Sequence, residues 1–125
     1  MPVRIGLSAT VEFVVTEADT AIAMRSGSVP VLATPRLVAR CEEASIAAIE
    51  GRLGPNETTV GAKVRIEHLA PTAVGHTVQA EATVEKVKGR RITFTVSARD
   101  ERGLVVVGRV TRVVVDVERF LDKAR

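Results

Sequence analysis

The sequence predicts an α+β fold in which an antiparallel sheet of about five strands wraps around one long helix. One long stretch rich in helix-forming residues lies in the first half of the chain, and segments with alternating apolar and polar residues follow it. Turn sequences join several of these segments, which is typical of antiparallel neighbours. The chain has 125 residues, of which 46% are hydrophobic. We therefore expect residues 1–125 to form a single domain with one core.

The N-terminal part of the chain predicts one strand and one short helical turn. Apolar residues alternate loosely over Leu7–Val15, which indicates a strand. The segment Thr16–Asp19 resembles a capping box and opens a helical turn that ends at Met24. The segment Arg25–Val31 contains Gly, Ser and Pro and therefore predicts a loop.

The long helix is predicted to begin at Thr34, whose hydroxyl would act as the N-cap ahead of Pro35 at the first helical position. It continues to Leu53, because few helix-breaking residues precede Gly54 and Pro55. Six residues are spaced to form one broad apolar stripe on this helix: Leu37, Val38, Cys41, Ala44, Ala48 and Ile49. This stripe is the face that we expect to pack against the sheet.

Four strands are predicted after the helix, three of them alternating. The inward rows are Val60, Ala62, Val64 and Ile66, then Val78, Ala80, Ala82 and Val84, then Ile92, Phe94, Val96 and Ala98. The fourth strand, Leu104–Val117, is apolar nearly throughout and is predicted to be central, and a short charged tail closes the chain. One long helix against such a sheet is the hotdog arrangement. The exposed edge of a small sheet favours pairing with a second copy.

Two adjacent glutamates on the helix point in different directions. At ~100° per residue, Glu42 falls between Ile49 and Leu53 in an apolar arc, whereas Glu43 lies on the polar side. A carboxylate in an apolar arc is costly unless it is paired or functional. Glu42 is therefore either a boundary residue that reaches water or a functional group.

The histidines and two arginines are further candidates. His68 shares the parity of the inward row, so it is either a hydrogen-bonded core residue or part of a site, whereas His76 lies in a turn and is predicted to face solvent. Arg109 and Arg112 interrupt an apolar strand, where an arginine needs an anionic partner. One of the two is expected to face a site, but a bulge at Gly108 would change which one. Cys41 lies within the apolar stripe and is predicted to be a small buried residue rather than a nucleophile.

Four segments carry a more specific signal: ATPRLVARCEEA (33–44), VGAKVRIEH (60–68), KGRRITFTVSARD (88–100) and GRVTRVVV (108–115). They resemble the hotdog acyl-CoA thioesterases of the fluoroacetyl-CoA thioesterase type. In that family, a Thr at the helix start and a Glu eight residues later are catalytic. A Gly and a His seven residues apart on the next strand, and an Arg in the last strand, also belong to the site. The spacings match here (42 − 34 = 8 and 68 − 61 = 7). The resemblance implies Thr34, Glu42 and His68 as catalytic residues, with Gly61 and Arg112 as supporting substrate-binding positions.

The resemblance also implies a function and a partner. The expected substrate is a short or medium acyl-CoA, with coenzyme A as part of the substrate and no separate cofactor, and the expected assembly is a homodimer or a dimer of dimers. The loop Ser26–Pro30 contains no aromatic residue, which argues against a gated, fluoroacetyl-selective pocket. One alternative is a non-catalytic acyl-CoA-binding module, although a sensor would need an appended effector segment for which 125 residues leave no space. Another is an enoyl-CoA hydratase, although no Asp lies near His68 in the strand pattern.

Composition argues against several other classes of function. Aromatic residues make up 2% of the chain, which leaves little for stacking on nucleic-acid bases, and the net charge of +3 comes from scattered Lys and Arg. One Cys excludes an internal disulfide framework, and two His make a poor set of metal ligands. No apolar run approaches the ~20 residues of a membrane helix, and the N-terminus lacks the apolar region of a signal peptide. We therefore expect a cytoplasmic protein without nucleic-acid, membrane or metal binding.

Overall fold

A computed structural model describes residues 3–125. The five strands are β1 (Ser8–Val14), β2 (Glu57–His68), β3 (Thr77–Lys88), β4 (Arg91–Asp100) and β5 (Gly103–Asp116). The α-helices are α1 (Ala21–Met24), α2 (Thr34–Ala48) and α3 (Val117–Lys123), and a 3-10 helix spans Glu17–Asp19. The strands form one antiparallel sheet in the order β1-β3-β4-β5-β2.

The core lies between α2 and one face of the sheet. The predicted inward rows of β3 and β4 are buried without exception, as are Leu37, Cys41, Ala44, Ala48 and Ile49 of the helix stripe. Burial of each large apolar side chain stabilises the fold by about 1.5–3 kcal/mol. The hotdog arrangement predicted from the sequence is therefore confirmed. The strand β5 lies between β4 and β2, in the interior of the sheet, as its apolar sequence indicated.

The long helix differs from the prediction at both ends. Its N-cap is Ala33, not Thr34, and no side chain caps the helix, because the Thr34 hydroxyl bonds to another residue. The helix ends at Ala48 rather than at Leu53. Gly51 adopts φ +76°, a left-handed conformation that glycine accommodates easily and that ends the helix before Gly54.

The alternation of β2 is broken by a bulge. Its register with β5 shifts between Gly61 and Lys63, so that Ala62 is the additional residue. The predicted inward row is therefore wrong at Val60 and Ala62. Instead, Thr59 is buried, and the Gly61 position faces α2.

Gly108 hosts no bulge, which answers the question that the sequence left open, and it permits a close approach of two strands. A Cβ at Gly108 would lie 2.1 Å from the Arg65 carbonyl oxygen and 2.7 Å from the Cα of Ile66. Because the strand alternates regularly from Gly108 to Arg112, Arg112 points toward the helix, where it is buried and contacts Glu42, whereas Arg109 is exposed. A backbone approach this close leaves no room for a side chain at position 108.

The chain end is a helix, whereas the sequence predicted only a charged tail. The Asp116 side chain caps α3 by accepting a hydrogen bond of 3.1 Å from the Arg119 N–H. Upstream, the predicted capping box is present, because the Asp19 carboxylate accepts hydrogen bonds from the Thr16 backbone N–H and hydroxyl. Within residues 3–125, no helix is long and apolar enough to cross a membrane.

Candidate functional site

The first part of the site is a hydroxyl–imidazole pair. Thr34 is the first residue of α2 and His68 is the last residue of β2. A hydrogen bond of 2.7 Å joins Thr34 Oγ1 to His68 Nδ1. The interpretation of His68 as a residue turned toward the helix is confirmed, since it lies opposite the buried Val106 of β5.

The second ring nitrogen of His68 is buried without a hydrogen-bond partner among the residues that the structure describes. His68 Nε2 is shielded from solvent and, within the described part of the chain, accepts or donates no hydrogen bond. An unpaired buried polar atom costs about 1–3 kcal/mol, and such atoms occur at functional sites. With Nδ1 held by Thr34, Nε2 is the position at which this imidazole can exchange a proton.

The second part of the site is a carboxylate–guanidinium pair. Arg112 Nη1 donates a hydrogen bond of 2.8 Å to Glu42 Oε2. The Arg112 residue is 6% exposed, and the Glu42 side chain remains partly accessible. The sequence interpretation that Glu42, and not Glu43, points to the apolar side is confirmed: Glu43 is exposed and pairs with Arg40 on the helix surface.

Thr59 is a residue of this site that sequence reasoning missed. Its hydroxyl accepts a hydrogen bond of 2.9 Å from Arg112 Nε, and its carbonyl accepts one of 3.0 Å from Arg112 Nη2. Thr59 is buried and thereby fixes the guanidinium that holds Glu42. The signal was hidden because the bulge at Ala62 reverses the strand parity on which the sequence interpretation rested.

Gly61 lies directly against the Glu42 carboxylate. A Cβ built at Gly61 would lie 2.5 Å from Glu42 Oε2 and 3.5 Å from Arg112 Nη1. Any larger residue would therefore displace the carboxylate from its present position. The three residues Glu42, Gly61 and Arg112 are brought together as one cluster.

The two parts of the site are separate within one chain. Thr34 and Glu42 are eight residues apart on α2, which corresponds to ~12 Å along the helix axis. No hydrogen bond or ion pair among residues 3–125 joins His68 to Glu42. The structure thus brings Thr34 to His68 and Glu42 to Gly61 and Arg112, but does not bring His68 to Glu42.

The remaining candidate residues lie outside this arrangement. Arg109 forms an exposed ion pair with Glu85, with N–O distances of 2.8 and 3.1 Å. His76 is partly exposed, as predicted, but contacts Glu101. Burial raises the pKa of the Cys41 thiol to about 11, and the nearby charge of Glu42 adds to this effect. Such a thiol is protonated at neutral pH, which agrees with a packing role.

The arrangement combines groups that acyl-transfer chemistry uses. A partly accessible carboxylate can act as a nucleophile or a general base, and an imidazole with one free nitrogen can transfer a proton. The first turn of α2 has no side-chain cap, so its N–H groups can receive a developing negative charge. The described residues contain no group of three or more His, Cys, Asp or Glu side chains suited to a metal ion.

Comparison with known proteins identifies relatives that are described as thioesterases acting on fluoroacetyl-CoA. A family model described as fluoroacetyl-CoA-specific thioesterase matches residues 15–118. A fluoroacetyl-CoA thioesterase of Streptantibioticus cattleyicolor is 35% identical over 95 residues, which cover 76% of this chain and 68% of that protein.

Solved structures extend the similarity to nearly the whole fold. A variant of the fluoroacetyl-CoA-specific thioesterase in complex with fluoroacetate and CoA aligns with a TM-score of 0.89 and 31% identity, covering 94% of this chain and 99% of that one. A thioesterase superfamily member from Thermus thermophilus aligns with a TM-score of 0.91 and 32% identity, covering 99% of this chain and 92% of that one. The segment matched by the family model and the aligned parts of these structures include the helix and the strands that carry the site. The chain therefore belongs to the fluoroacetyl-CoA-specific thioesterase family.

Proposed function

We propose that the protein is an acyl-CoA thioesterase that hydrolyses short or medium acyl-CoA. The observation that carries this proposal is the position of the Glu42 carboxylate, which the buried Arg112 holds against Gly61. Glu42 lies on the same helix as Thr34, whose hydroxyl is hydrogen-bonded to His68. Family membership supports the reaction class, and the relative that binds fluoroacetate and CoA supports the substrate class. Hydrolysis of a thioester requires no separate cofactor, because coenzyme A is part of the substrate.

In the proposed reaction, Glu42 supplies the attacking oxygen directly or removes a proton from the attacking water. The C–S bond of the thioester breaks, and the coenzyme A sulfur takes a proton from His68. If Glu42 attacks directly, the acyl carbon first forms an anhydride with its carboxylate, and a water then cleaves that anhydride to release the acid. If water attacks, its oxygen joins the acyl carbon at once, and in both routes the proton that the water loses restores the one given to sulfur. Thr34 keeps the imidazole oriented through its 2.7 Å hydrogen bond to Nδ1. Backbone N–H groups near Gly61 or at the start of α2 stabilise the thioester oxygen as it becomes negative.

The working unit in this proposal is a homodimer, with a dimer of dimers as the larger assembly. The helix α2 packs mainly against β1 and β3, which leaves the helix-facing side of the edge strand β2 incompletely covered. Val64 lies opposite the buried Val110 and yet is 40% exposed, and Ile46 on α2 is 49% exposed. A second copy would cover these apolar side chains and pair with the free edge of β2. The protein is further proposed to be cytoplasmic.

A thiol-release screen over acyl-CoA chain lengths tests the reaction and its substrate class together. We expect free coenzyme A from short or medium substrates, and a loss of at least ~10²-fold in kcat/KM for Glu42→Gln and for His68→Ala. Glu43→Gln is the matched control, because it makes the same chemical change at the exposed neighbour. Loss of enoyl absorbance from crotonyl-CoA would instead indicate a hydratase. Binding of acyl-CoA without turnover would indicate a non-catalytic module.

A mixing experiment tests whether the site combines residues of two copies. If Glu42 of one copy acts with His68 of another, a mixture of Glu42→Gln and His68→Ala chains regains about a quarter of the wild-type activity. Half of the randomly assorted dimers are mixed, and each mixed dimer holds one intact site of two. If both residues act within one chain, every site in the mixture carries one substitution and activity stays absent. Sedimentation of the wild type and of Val64→Asp tests the dimer itself.

A further inference from the structure

The segment that leads into α2 is held from both sides by backbone hydrogen bonds. The Ala33 N–H donates to the Asp19 carbonyl at 2.8 Å, and the Leu32 N–H donates to the Thr72 carbonyl at 2.9 Å. Thr34 follows immediately and has no part in capping the helix. The position of its hydroxyl is therefore set by residues that are distant in sequence.

Asp19 adds a side-chain connection to the same place. The residue is 4% exposed, and its Oδ2 accepts hydrogen bonds from the Thr16 N–H at 2.8 Å and the Thr16 hydroxyl at 3.0 Å. Its Oδ1 lies 2.9 Å from Nε of Arg36, in the first turn of α2. Asp19 thus contacts the chain on both sides of Thr34, through its carbonyl at Ala33 and through its carboxylate at Arg36.

The charges explain why a carboxylate stands there. Arg36 lies at the positive end of the helix dipole, where a cation is unfavourable, and the first turn of α2 contains no acidic residue. Asp19 supplies the missing negative charge from the preceding 3-10 helix. A buried carboxylate is costly unless it is paired or hydrogen-bonded. Here Oδ2 accepts two hydrogen bonds, and Oδ1 stands in an ion pair with Arg36.

We propose that Asp19 is a positioning residue, which holds the Thr34 hydroxyl on His68 Nδ1 through its contacts to Ala33 and Arg36. This inference rests on the proposed function only for its effect on turnover. The geometric part concerns the Thr34–His68 hydrogen bond alone and is measurable in the resting protein.

The kinetic test is a double-mutant cycle. Asp19→Asn is expected to lower kcat/KM by roughly 10- to 100-fold, since a displacement of ~1 Å can cost ~10²-fold. In a Thr34→Ala background the same substitution is expected to cost less than about twofold, because the group that it positions is already absent. Glu17→Gln is the matched control, since it removes the same charge from the exposed face of the same 3-10 helix. Equal losses in both backgrounds would overturn the proposal.

The second test does not depend on activity. The ¹⁵N chemical shifts of the His68 ring nitrogens report the tautomer and the hydrogen bond at Nδ1. We expect Asp19→Asn to shift the Nδ1 signal toward its position in Thr34→Ala, and Glu17→Gln to leave it unchanged. An unchanged Nδ1 signal in Asp19→Asn would refute the proposal. Absence of turnover in the wild type would refute the proposed function instead. The Nδ1 shift would then still decide whether Asp19 positions the Thr34–His68 hydrogen bond.

A second substitution covers the case in which Asp19→Asn does not fold. Arg36→Met breaks the ion pair by changing its more accessible residue, and it leaves the Asp19–Thr16 hydrogen bonds intact. The same shift of the His68 Nδ1 signal and the same non-additivity with Thr34→Ala are expected. Wild-type kcat/KM together with a wild-type His68 spectrum in Arg36→Met would overturn the proposal.

Discussion

Gly61→Ala is expected to displace the Glu42 carboxylate, and so to lower activity, without a large loss of fold stability. The added Cβ would lie 2.5 Å from Glu42 Oε2, whereas ordinary van der Waals contact begins at 3.4 Å. The oxygen must therefore retreat by about 0.9 Å (3.4 − 2.5), which disrupts its 2.8 Å hydrogen bond to Arg112 Nη1. A displacement of ~1 Å in a reacting group costs about 10²-fold in rate, or about 2.7 kcal/mol of transition-state stabilisation.

The same substitution is expected to leave the fold nearly as stable. The atom that must move is the end of a flexible, partly exposed side chain. The lower chain entropy of unfolded alanine contributes about 0.4–1 kcal/mol in favour of the folded state, which offsets part of the weakened ion pair. Gly108→Ala is the contrasting variant, because its Cβ would meet the backbone of Arg65 and Ile66 at 2.1 and 2.7 Å. We expect that variant to lose at least about 1–3 kcal/mol of stability.

Thiol release and thermal unfolding, measured on both glycine variants, provide the assay. The expected pattern is a kcat/KM about 10²-fold lower in Gly61→Ala with Tm close to that of the wild type, and a clearly lowered Tm in Gly108→Ala. Wild-type kcat/KM in Gly61→Ala would show that the observed carboxylate position does not matter for turnover. A Tm loss in Gly61→Ala as large as that in Gly108→Ala would show that the Glu42 carboxylate cannot move away from the added Cβ.

Three further predictions follow from the contacts of single residues. Thr59→Val leaves the buried Arg112 Nε without its acceptor, which should cost about 1–3 kcal/mol of stability and lower kcat/KM, whereas Thr59→Ser should restore both; denaturant unfolding and thiol release measure these effects. Burial raises the Cys41 pKa from 9.0 to about 11, so the thiol should resist alkylation in the native state. The unfolding free energy should fall as pH rises from about 9 to about 11, because the unfolded thiol loses its proton first. Alkylation of the native protein at pH 8, or the same decline in Cys41→Ala, would contradict this. Arg109→Gln breaks only an exposed pair with Glu85 and should leave Tm and kcat/KM unchanged, in contrast to Arg112→Gln, which leaves Glu42 unpartnered.

The sequence by itself determined the architecture, because periodicity is a local property. The rows Val78–Val84 and Ile92–Ala98 each repeat at a spacing of two residues, and burial of one sheet face requires that pattern. The helix face was equally readable, since a rotation of ~100° per residue separates Glu42 from Glu43 without any tertiary information. Together with the spaced motifs around Thr34, Glu42 and His68, these patterns led to the family that the comparisons show.

Only the tertiary structure decided how the site residues are paired. The bulge at Ala62 is a property of the β2–β5 register, so strand parity alone misassigned Val60 and concealed Thr59. The local sequence did not distinguish Arg109 from Arg112. The folded sheet pairs Arg109 with Glu85 on the surface and Arg112 with Glu42 in the site.

Thr34 shows the same limit at the helix start. Its hydroxyl side chain and its position before Pro35 favoured an N-cap. In the structure, that hydroxyl is instead hydrogen-bonded to His68, 34 residues further along the chain. Local patterns determine which residues face the core, because helix and strand geometry repeat along the chain. Hydrogen-bond partners between distant segments depend on register and packing, which exist only once the sheet has formed.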